Sequence, residues 1–279
     1  MDLDPNNTMP RDNDGFIVLK HNYSDLWKKV NYRTTRTAVL DRVYEYDIRS
    51  ANTSSMRASG KIDESLLDTL DSMKKQAREE AVGKMIRKDR KIWKIISNQI
   101  RHAREQLFRE NLIQDDEVLA IKNDAVFIIG RKLKYTTFGP MEFRLKHQYS
   151  LYLLISKVEF YYDKRTRSID VKGVKDEVVN EPDHQEGMMK FFDQVFYYLA
   201  MDRRDDLRKY LIKFTHDYKA KKLPHQYYRE FNGENVYRTI MELAGFEYNL
   251  IEITDHDLDI INPVYNYLRF ILPILRQYL

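Results

Sequence analysis

The chain has 279 residues, no cysteine, and 47 basic against 43 acidic residues, which gives a formal net charge of only +4. The absence of cysteine excludes disulfide bonds and thiolate metal sites, and the balanced charge does not by itself indicate a nucleic-acid partner. No apolar run approaches the ~20 residues that span a bilayer, and the acidic, polar N-terminus lacks the layout of a signal peptide. We therefore expect a soluble, cytoplasmic protein with no membrane partner.

The first predicted elements are an arm and a strand. Residues 1–42 are expected to form an N-terminal arm, because they begin with a stretch rich in Asp, Asn and Pro. A strand is predicted from Val43 to Asp47, which places a carboxylate at the strand's end. The small polar run from Ser50 to Ser55 predicts a turn, after which the chain enters a helix.

A helical pattern extends over residues 62–113, where apolar side chains recur at spacings of three and four. Asp63 is the predicted N-cap of its first helix. A single rod of this length would be unusual, so we expect a break near Gly83 or within residues 87–90 that gives an antiparallel helix pair. The basic residues that crowd this break form either a solvated face or a binding site for phosphates.

Residues 117–131 contain two apolar runs separated by Lys122, Asn123 and Asp124, a pattern typical of a β-hairpin whose strands are buried on both faces. Asp124 lies at the predicted tip, where a carboxylate would face solvent and yet be rigidly held. It either simply makes the turn, as Asn and Asp often do, or also holds a metal ion.

Beyond the hairpin, strands are predicted over residues 149–162 and 168–174, and apolar faces at helical spacing predict helices from Met188 onward. The 20 tyrosines and 13 phenylalanines are many for a chain of this length. Most are expected to build an aromatic core, and stacking on bases is the alternative for a few of them.

Two strands that each deliver an aspartate to their ends can bind two divalent cations together. Asp47 and Asp124 are the candidates, and hard carboxylate oxygens suit Mg²⁺ or Mn²⁺. Two such ions stabilise the attacking and leaving oxygens of an in-line nucleotidyl transfer.

Around Asp47 the chain resembles the family B DNA polymerases. The first palm motif of that family reads roughly D-x-x-S-L-Y-P-S, and Asp47, Ser50 and Ser54 match it, whereas residues 51–53 depart from it. In the family a tyrosine of this motif lies under the sugar of the incoming nucleotide and excludes a 2′-hydroxyl. Asn52 stands at that place, which predicts that ribonucleotides are accepted, unless a neighbouring tyrosine of the strand replaces the gate.

Two further motifs follow in the family's order. Residues 94–98, K-I-I-S-N, fit the K-x-x-x-N helix motif, without the Tyr-Gly that usually follows it. Residues 122–125, K-N-D-A, stand at the place of the D-T-D-S hairpin motif and keep only its second aspartate, Asp124.

The resemblance implies that Asp47 and Asp124 are catalytic residues that hold two metal ions. It implies that Lys94 holds the triphosphate, and we expect Arg87 or Arg90 to assist it. The nucleotide-binding residues expected in all are Lys94, Asn98, Arg87, Arg90, Ile48, Arg49 and Asn52.

The family holds the primer end with lysines on two strands after the hairpin motif. Lys157 and Lys172-Gly173 stand at those places, although Glu159 replaces the aromatic residue of the family's K-x-Y pattern. The alternative is a plain β-hairpin with solvated lysines. The helical stretch over residues 203–222 resembles a thumb that grips duplex backbone.

The expected fold is therefore α+β, a right-hand-like polymerase palm with an antiparallel sheet, a helical fingers pair and a helical thumb. Its parts would be an arm (1–42), a palm (43–61 and 114–180), fingers (62–113), and a thumb with the C-terminal region (181–279). No proofreading exonuclease region is expected. Such a small polymerase-like protein would fit a phage or another mobile element.

The leading hypothesis for function is a template-directed nucleotidyltransferase that uses Mg²⁺ or Mn²⁺, nucleoside triphosphates and a primer–template duplex. The alternative is a catalytically degenerate relative that binds nucleic acid or a replication partner protein. The missing first aspartate of the hairpin motif and the missing Tyr-Gly favour the alternative. Retention of Asp47, Lys94 and Asp124 together favours catalysis.

Overall fold

A computed structural model describes residues 23–155, 158–172, 182–220, 222–223, 230–231, 234–235 and 274–279, with the backbone alone for 182–188, 219, 230–231 and 234–235. The chain divides into two compact units. The first consists of residues 1–34 and 44–147, and the second of residues 35–43 and 148–279. The residues predicted to form a palm are therefore shared between the two units.

The described strands and helices have these bounds. The strands are β1 Asn31–Arg33, β2 Ala38–Val39, β3 Val43–Ile48, β4 Val118–Lys122, β5 Ala125–Ile129, β6 Thr137–Phe138, β7 Met141–Tyr149, β8 Leu151–Ile155, β9 Val158–Asp163, β10 Ser168–Lys172, β11 Glu230–Phe231 and β12 Glu234–Asn235. The helices are α1 Ala51–Ser59, α2 Glu64–Ser72, α3 Lys75–Lys88, α4 Arg90–Glu110, α5 Pro182–Ala200 and α6 Arg204–Lys219. Residues 274–278 are also helical.

A six-stranded sheet with the order β1-β4-β5-β3-β7-β6 organises the first unit. The predicted hairpin is confirmed as β4 and β5, which pair antiparallel with Lys122 opposite Ala125. Residues 118–121 and 126–128 are buried, as expected for strands covered on both faces. The two-residue turn requires a left-handed residue, and Asn123 supplies it with a φ of 53°.

The strand predicted from Val43 is also confirmed, and β3 lies between β5 and β7 in the sheet. The turn predicted over Ser50 to Ser55 is wrong, because α1 begins at Ala51. Arg49 and Ser50 make the turn, and Ser50 adopts a left-handed conformation with a φ of 49°. The small hydroxyl residues then continue as helix, and Ser54 donates from its side chain to the carbonyl of Arg49.

Residues 62–113 form three helices in place of one broken pair. Asp63 is the N-cap of α2, as predicted, and accepts a hydrogen bond from the backbone N–H of Leu66. The predicted break within 87–90 is confirmed at Asp89, which caps α4, whereas Gly83 lies inside α3. An additional break at residues 73–74 separates α2 from α3.

The second unit contains the sheet order β10-β9-β8-β2, in which all three pairs are antiparallel. The apolar faces predicted for α5 and α6 are buried in one cluster with the side chains of β8 and β9. Ring pairs such as Phe160–Phe192, with centroids 4.8 Å apart, and Phe191–Phe214, at 4.6 Å, fill this core. Many of the chain's aromatic residues therefore pack in the interior, as expected.

In the described part of the chain, none of the helices has the length and apolar character needed to cross a membrane.

Asn111 joins the end of α4 to the segment that follows β5, and its side chain is buried. Its amide nitrogen donates to the carbonyls of Leu107 (2.9 Å) and Tyr135 (2.6 Å). Its amide oxygen accepts from the backbone N–H groups of Lys134 (2.9 Å) and Tyr135 (3.0 Å). One side chain thus satisfies four backbone groups.

We predict that Asn111→Ala lowers the free energy of unfolding by about 1–3 kcal/mol, because four hydrogen bonds to backbone groups are lost. Urea unfolding should show a lower midpoint with an unchanged slope. The control is Asn98→Ala, since Asn98 is exposed on the same helix. Equal midpoints for the two variants would contradict this role of Asn111.

Candidate active site

The tip of the β4–β5 hairpin is fixed against its neighbours by backbone hydrogen bonds. The N–H of Asn123 donates to the carbonyl of Val30 (2.9 Å), and the carbonyl of Asp124 accepts from the N–H of Ile48 (3.3 Å). On the other side, the N–H of Arg49 donates to the carbonyl of Glu142 at the start of β7 (2.9 Å). The ends of β3 and of the hairpin are therefore held side by side.

Arg104 holds the hairpin tip through a hydrogen bond from the interior of the unit. Its side chain projects from α4 and is 2% exposed. The guanidinium donates to the carbonyls of Asn123 (2.9 Å) and Trp27 (2.9 Å). Burial, together with nearby Arg101, lowers the pKa of Arg104 to about 10, and Asp124 opposes that shift. A buried cation thus lies under the turn that presents Asp124.

A cleft of about 370 Å³ opens at this place, and both predicted catalytic aspartates line it. The other residues of its wall are mainly polar or basic. They are Ile48, Arg49, Ser50, Ala51, Asn52, Thr53, Lys75, Arg78, Glu79, Asn123 and Arg144. The cleft therefore brings Asp47 and Asp124 together with four cationic side chains.

The two aspartates influence each other electrostatically. Partial burial raises the pKa of Asp124, and the negative charge of Asp47 raises it further, while Lys146 and Arg104 act in the opposite direction. A carboxyl whose pKa is raised by a neighbouring carboxylate gains from any cation placed between the two.

Lys146 of β7 forms ion pairs with two carboxylates of β3. Its Nζ lies 3.5 Å from Oδ2 of Asp47 and 3.4 Å from Oε1 of Glu45. Partial burial lowers the pKa of Lys146, but the two carboxylates outweigh this effect and raise it overall. Lys146 therefore remains charged at neutral pH and offsets part of the negative charge of β3.

The donor set fits Mg²⁺ or Mn²⁺ bound through two carboxylates. Mg²⁺ commonly uses one or two protein carboxylates and completes its coordination with water and substrate phosphates. Within the described ranges no group of three or more His, Cys, Asp or Glu side chains is arranged to hold a metal ion. An ion at Asp47 and Asp124 would thus take its remaining ligands from a substrate or from water.

The N-terminus of α1 also opens into the cleft, because Ser50 to Thr53 line its wall. The side chain of Ser50 forms no capping hydrogen bond with the helix. Backbone N–H groups at a helix N-terminus favour anions such as phosphates. This edge of the cleft suits a phosphate group of a substrate that also reaches the aspartates.

The remaining predicted nucleotide-binding residues lie elsewhere in the first unit. Lys94, Arg87 and Arg90 line a second pocket, of about 460 Å³, together with Ile86 and Trp93. That pocket shares no lining residue with the cleft of Asp47 and Asp124. Asn98 is exposed on α4 and lines neither of them.

Of the residues predicted to hold the primer end, only Lys172 falls in the described part of the chain. It lies at the end of β10, where its Nζ is 3.7 Å from Oδ2 of Asp170 and 5.1 Å from the ring centre of Tyr161. Lys157 and Gly173 lie outside the described residues.

Five basic residues at or near the cleft were missed by sequence reasoning: Lys75, Arg78, Arg104, Arg144 and Lys146. Only Arg104 had a sequence signal, since it follows Ala103 on the apolar stripe of α4 and precedes Leu107 by three positions. An arginine at such a position requires polar partners in the interior.

We predict that Asp47→Asn lowers the pKa of Asp124, because it removes a negative charge that favours the protonated carboxyl. The carboxyl ¹³C shift of Asp124, followed against pH, measures this change. Since the pKa of Asp124 is raised in the folded state, its ionised form costs stability at neutral pH. This cost begins to fall as the pH drops through the raised pKa, and it is gone below the ordinary pKa of the unfolded chain.

The matched control is Asp116→Asn, which removes an exposed carboxylate of the same unit. An equal response of Asp124 to both substitutions would show that Asp47 is not its electrostatic neighbour.

Comparison with known proteins identifies the family. The family model described as the bacteriophage PBS1 gene 130 protein matches residues 21–279. None of the curated proteins matches the chain. The matched range includes β3, the hairpin and every residue of the cleft. The chain therefore belongs to the family of the bacteriophage PBS1 gene 130 protein.

Proposed function

We propose that the protein is a template-directed nucleotidyltransferase, similar to family B DNA polymerases, that uses two divalent metal ions. The observation that carries this proposal is the shared cleft in which Asp47 and Asp124 face four cationic side chains. Paired carboxylates with neighbouring cations suit a substrate that brings both a metal ion and phosphates.

In this proposal, some residues of the cleft bind the metal ions and others bind the phosphates. Asp47 and Asp124 would hold Mg²⁺ or Mn²⁺, which supplies charge stabilisation for the attacking and leaving oxygens of the transfer. Arg144 is exposed at the cleft and forms no ion pair with the described residues, so it is free to contact a phosphate. The backbone after Asp47 and the N-terminus of α1 would hold the remaining phosphate oxygens.

In the proposed reaction, a primer hydroxyl loses its proton to water, its oxygen attacks the α-phosphorus of the nucleotide, and the bond to the pyrophosphate oxygen breaks. The cationic wall of the cleft stabilises the charge that develops on this leaving group. Basic residues of the second unit, with Lys172 and those of α6 as candidates, would contact the primer–template duplex. We propose that the protein works in the cytoplasm of a host cell.

A binding protein without catalysis is the second candidate. Lys146 forms an ion pair with Asp47, and an ion pair can satisfy that carboxylate without a metal ion. In that case the cleft would bind phosphates of a nucleic acid, or the protein would bind a replication partner. The two candidates differ in whether divalent metal binds at the two aspartates.

We predict primer extension in the presence of Mg²⁺ or Mn²⁺, and we predict that Asp124→Asn reduces its rate by at least about 100-fold, as expected for loss of a charge that stabilises the transition state. The amide keeps the size of the side chain, so the fold should be retained, as judged by circular dichroism. Asp116→Asn should keep full activity.

Full activity of Asp124→Asn would exclude the two-metal assignment. Failure of the native protein both to bind Mn²⁺ and to extend a primer would favour the second candidate.

The choice of sugar generates another prediction. Asn52 is the second residue of α1 and lines the cleft, whereas no tyrosine is among the lining residues. Tyr44 and Tyr46 of β3 are each 2% exposed, and the hydroxyl of Tyr46 accepts from the N–H of Leu133 (2.8 Å). Neither ring is thus available in the cleft as a replacement for the steric gate.

We therefore expect the native protein to incorporate ribonucleotides alongside deoxyribonucleotides, because the amide of Asn52 is small and can form a hydrogen bond with a 2′-hydroxyl. Asn52→Tyr should shift incorporation toward deoxyribonucleotides by about tenfold or more, since a hydroxyl that clashes with a ring costs at least ~1.4 kcal/mol. Side-by-side incorporation assays measure both. Strict use of deoxyribonucleotides by the native protein would contradict this prediction.

A further inference from the structure

The junction between α3 and α4 carries an unusual concentration of positive charge. Six basic residues lie within eleven positions and are all exposed: Lys84, Arg87, Lys88, Arg90, Lys91 and Lys94. In the described part of the chain, none of the six pairs with a carboxylate. The one acidic residue among them, Asp89, is occupied as the N-cap of α4 and accepts from the N–H of Lys91 (2.8 Å).

Some cations of the first unit are neutralised by neighbouring carboxylates. Arg57 contacts Glu64, Asp68 and Asp71 at once, and Arg131 contacts Glu117. The junction differs in holding six exposed cations within eleven positions without such a partner among the described residues. Such a group attracts a polyanion at long range, with a strength that falls as the salt concentration rises.

Trp93 lies beside several of these basic residues and is 46% exposed. Arg90 and Lys94 lie three positions before it and one after it, and Arg87 joins them in the wall of the 460 Å³ pocket. The chain's other tryptophan, Trp27, is partly buried, with its ring 5.4 Å from Lys28 and from Arg101. Trp93 thus offers an aromatic face to a ligand, flanked by cations.

We propose that this junction surface, defined as the six basic residues together with Trp93, binds single-stranded nucleic acid. An indole ring stacks on an unpaired base, while neighbouring Arg and Lys side chains bind the phosphates on either side. In a duplex the faces of the bases are already stacked on each other, so an exposed ring gains little from them. The volume of the pocket also lies within the ~300–1,000 Å³ typical of small-ligand sites, enough for one nucleotide.

The proposal goes beyond the transfer reaction and does not depend on it. The junction pocket contains neither Asp47 nor Asp124, and stacking on a base requires no metal ion. Binding should therefore persist in EDTA and in the Asp124→Asn variant. A protein that binds single strands at this surface but extends no primer would disprove the proposed function and leave this inference intact.

The test follows the fluorescence of Trp93. The chain has two tryptophans, so Trp27→Phe leaves Trp93 as the sole indole. Titration with a single-stranded oligo-dT in EDTA should quench its emission, as expected for a ring that stacks on bases. The same titration with a duplex of equal length should give at least about tenfold weaker binding, because its bases cannot stack on the ring and each stacked base contributes ~1–3 kcal/mol. ATP should also bind at least about tenfold more weakly, because it brings the phosphates of a single nucleotide to a surface of six cations.

Two variants separate stacking from charge. Trp93→Ala should weaken oligo-dT binding about tenfold or more with an unchanged salt dependence, measured by the fluorescence anisotropy of a dye-labelled oligo-dT because this variant lacks the reporter ring. The combined variant Arg87→Ala, Arg90→Ala and Lys94→Ala should reduce the slope of log affinity against log salt by about 2, because each phosphate that is no longer neutralised removes ~0.7 from the slope. Lys132→Ala is the matched control for charge, since Lys132 is exposed and outside the surface.

The side chains of Arg87, Arg90, Trp93, Lys94 and Lys132 are exposed, so substituting them should leave the thermal midpoint of the protein unchanged. Quenching by oligo-dT with both expected variant effects would support the inference. Unchanged Trp93 emission at saturating oligo-dT, or a salt slope that the combined variant leaves unchanged, would overturn it. Equal or tighter binding of ATP would instead assign the pocket to the nucleotide, and tighter binding of duplex would exclude a preference for single strands.

Discussion

Two carboxylates held in one cleft are the constraint on which the first unit depends. Like charges repel, and partial burial makes the ionised form of Asp124 more costly than it would be in water. The fold keeps Asp124 in place through the backbone, since the hydrogen bonds of Val30 and Ile48 act on the main chain of the turn. The carboxylate itself is thereby left available to a ligand.

The buried side chain of Arg104 also has an energetic cost. A buried guanidinium is expensive to desolvate, and its lowered pKa reports that cost. The fold tolerates the buried guanidinium because it donates to two backbone carbonyls. One carbonyl belongs to the hairpin turn and the other to the chain before β1, so the two hydrogen bonds hold both segments in place. The protein thus uses one buried cation to orient the turn and one partly exposed cation, Lys146, to balance β3. Arg104 therefore stabilises the backbone of the turn, and a different residue, Lys146, balances the charge of the carboxylates on β3.

Local sequence patterns predicted the strands that carry the two aspartates. The neighbours of those strands in the sheet depend on long-range pairing, which local patterns do not show. The hairpin was evident because Asn123 interrupts two apolar runs, and the N-cap at Asp63 because an acidic residue precedes an amphipathic stretch. Lys146 could not be assigned to Asp47, because the pairing of β7 beside β3 joins residues about a hundred positions apart, and alternation alone does not determine strand order. The small residues after Ser50 were misread for a related reason, since their low helix propensity is overridden by packing of α1.

The short strand β2 has a consequence for how the protein can be divided. It belongs to the second unit and pairs with β8, yet the chain reaches it only by leaving the first unit after Thr34 and returning at Tyr44. A fragment that starts after His147 would keep the aromatic core but would bare one side of β8. Unpaired strand edges are templates for pairing with another chain. Such a fragment would fail by self-association at that edge, even while its interior remained packed.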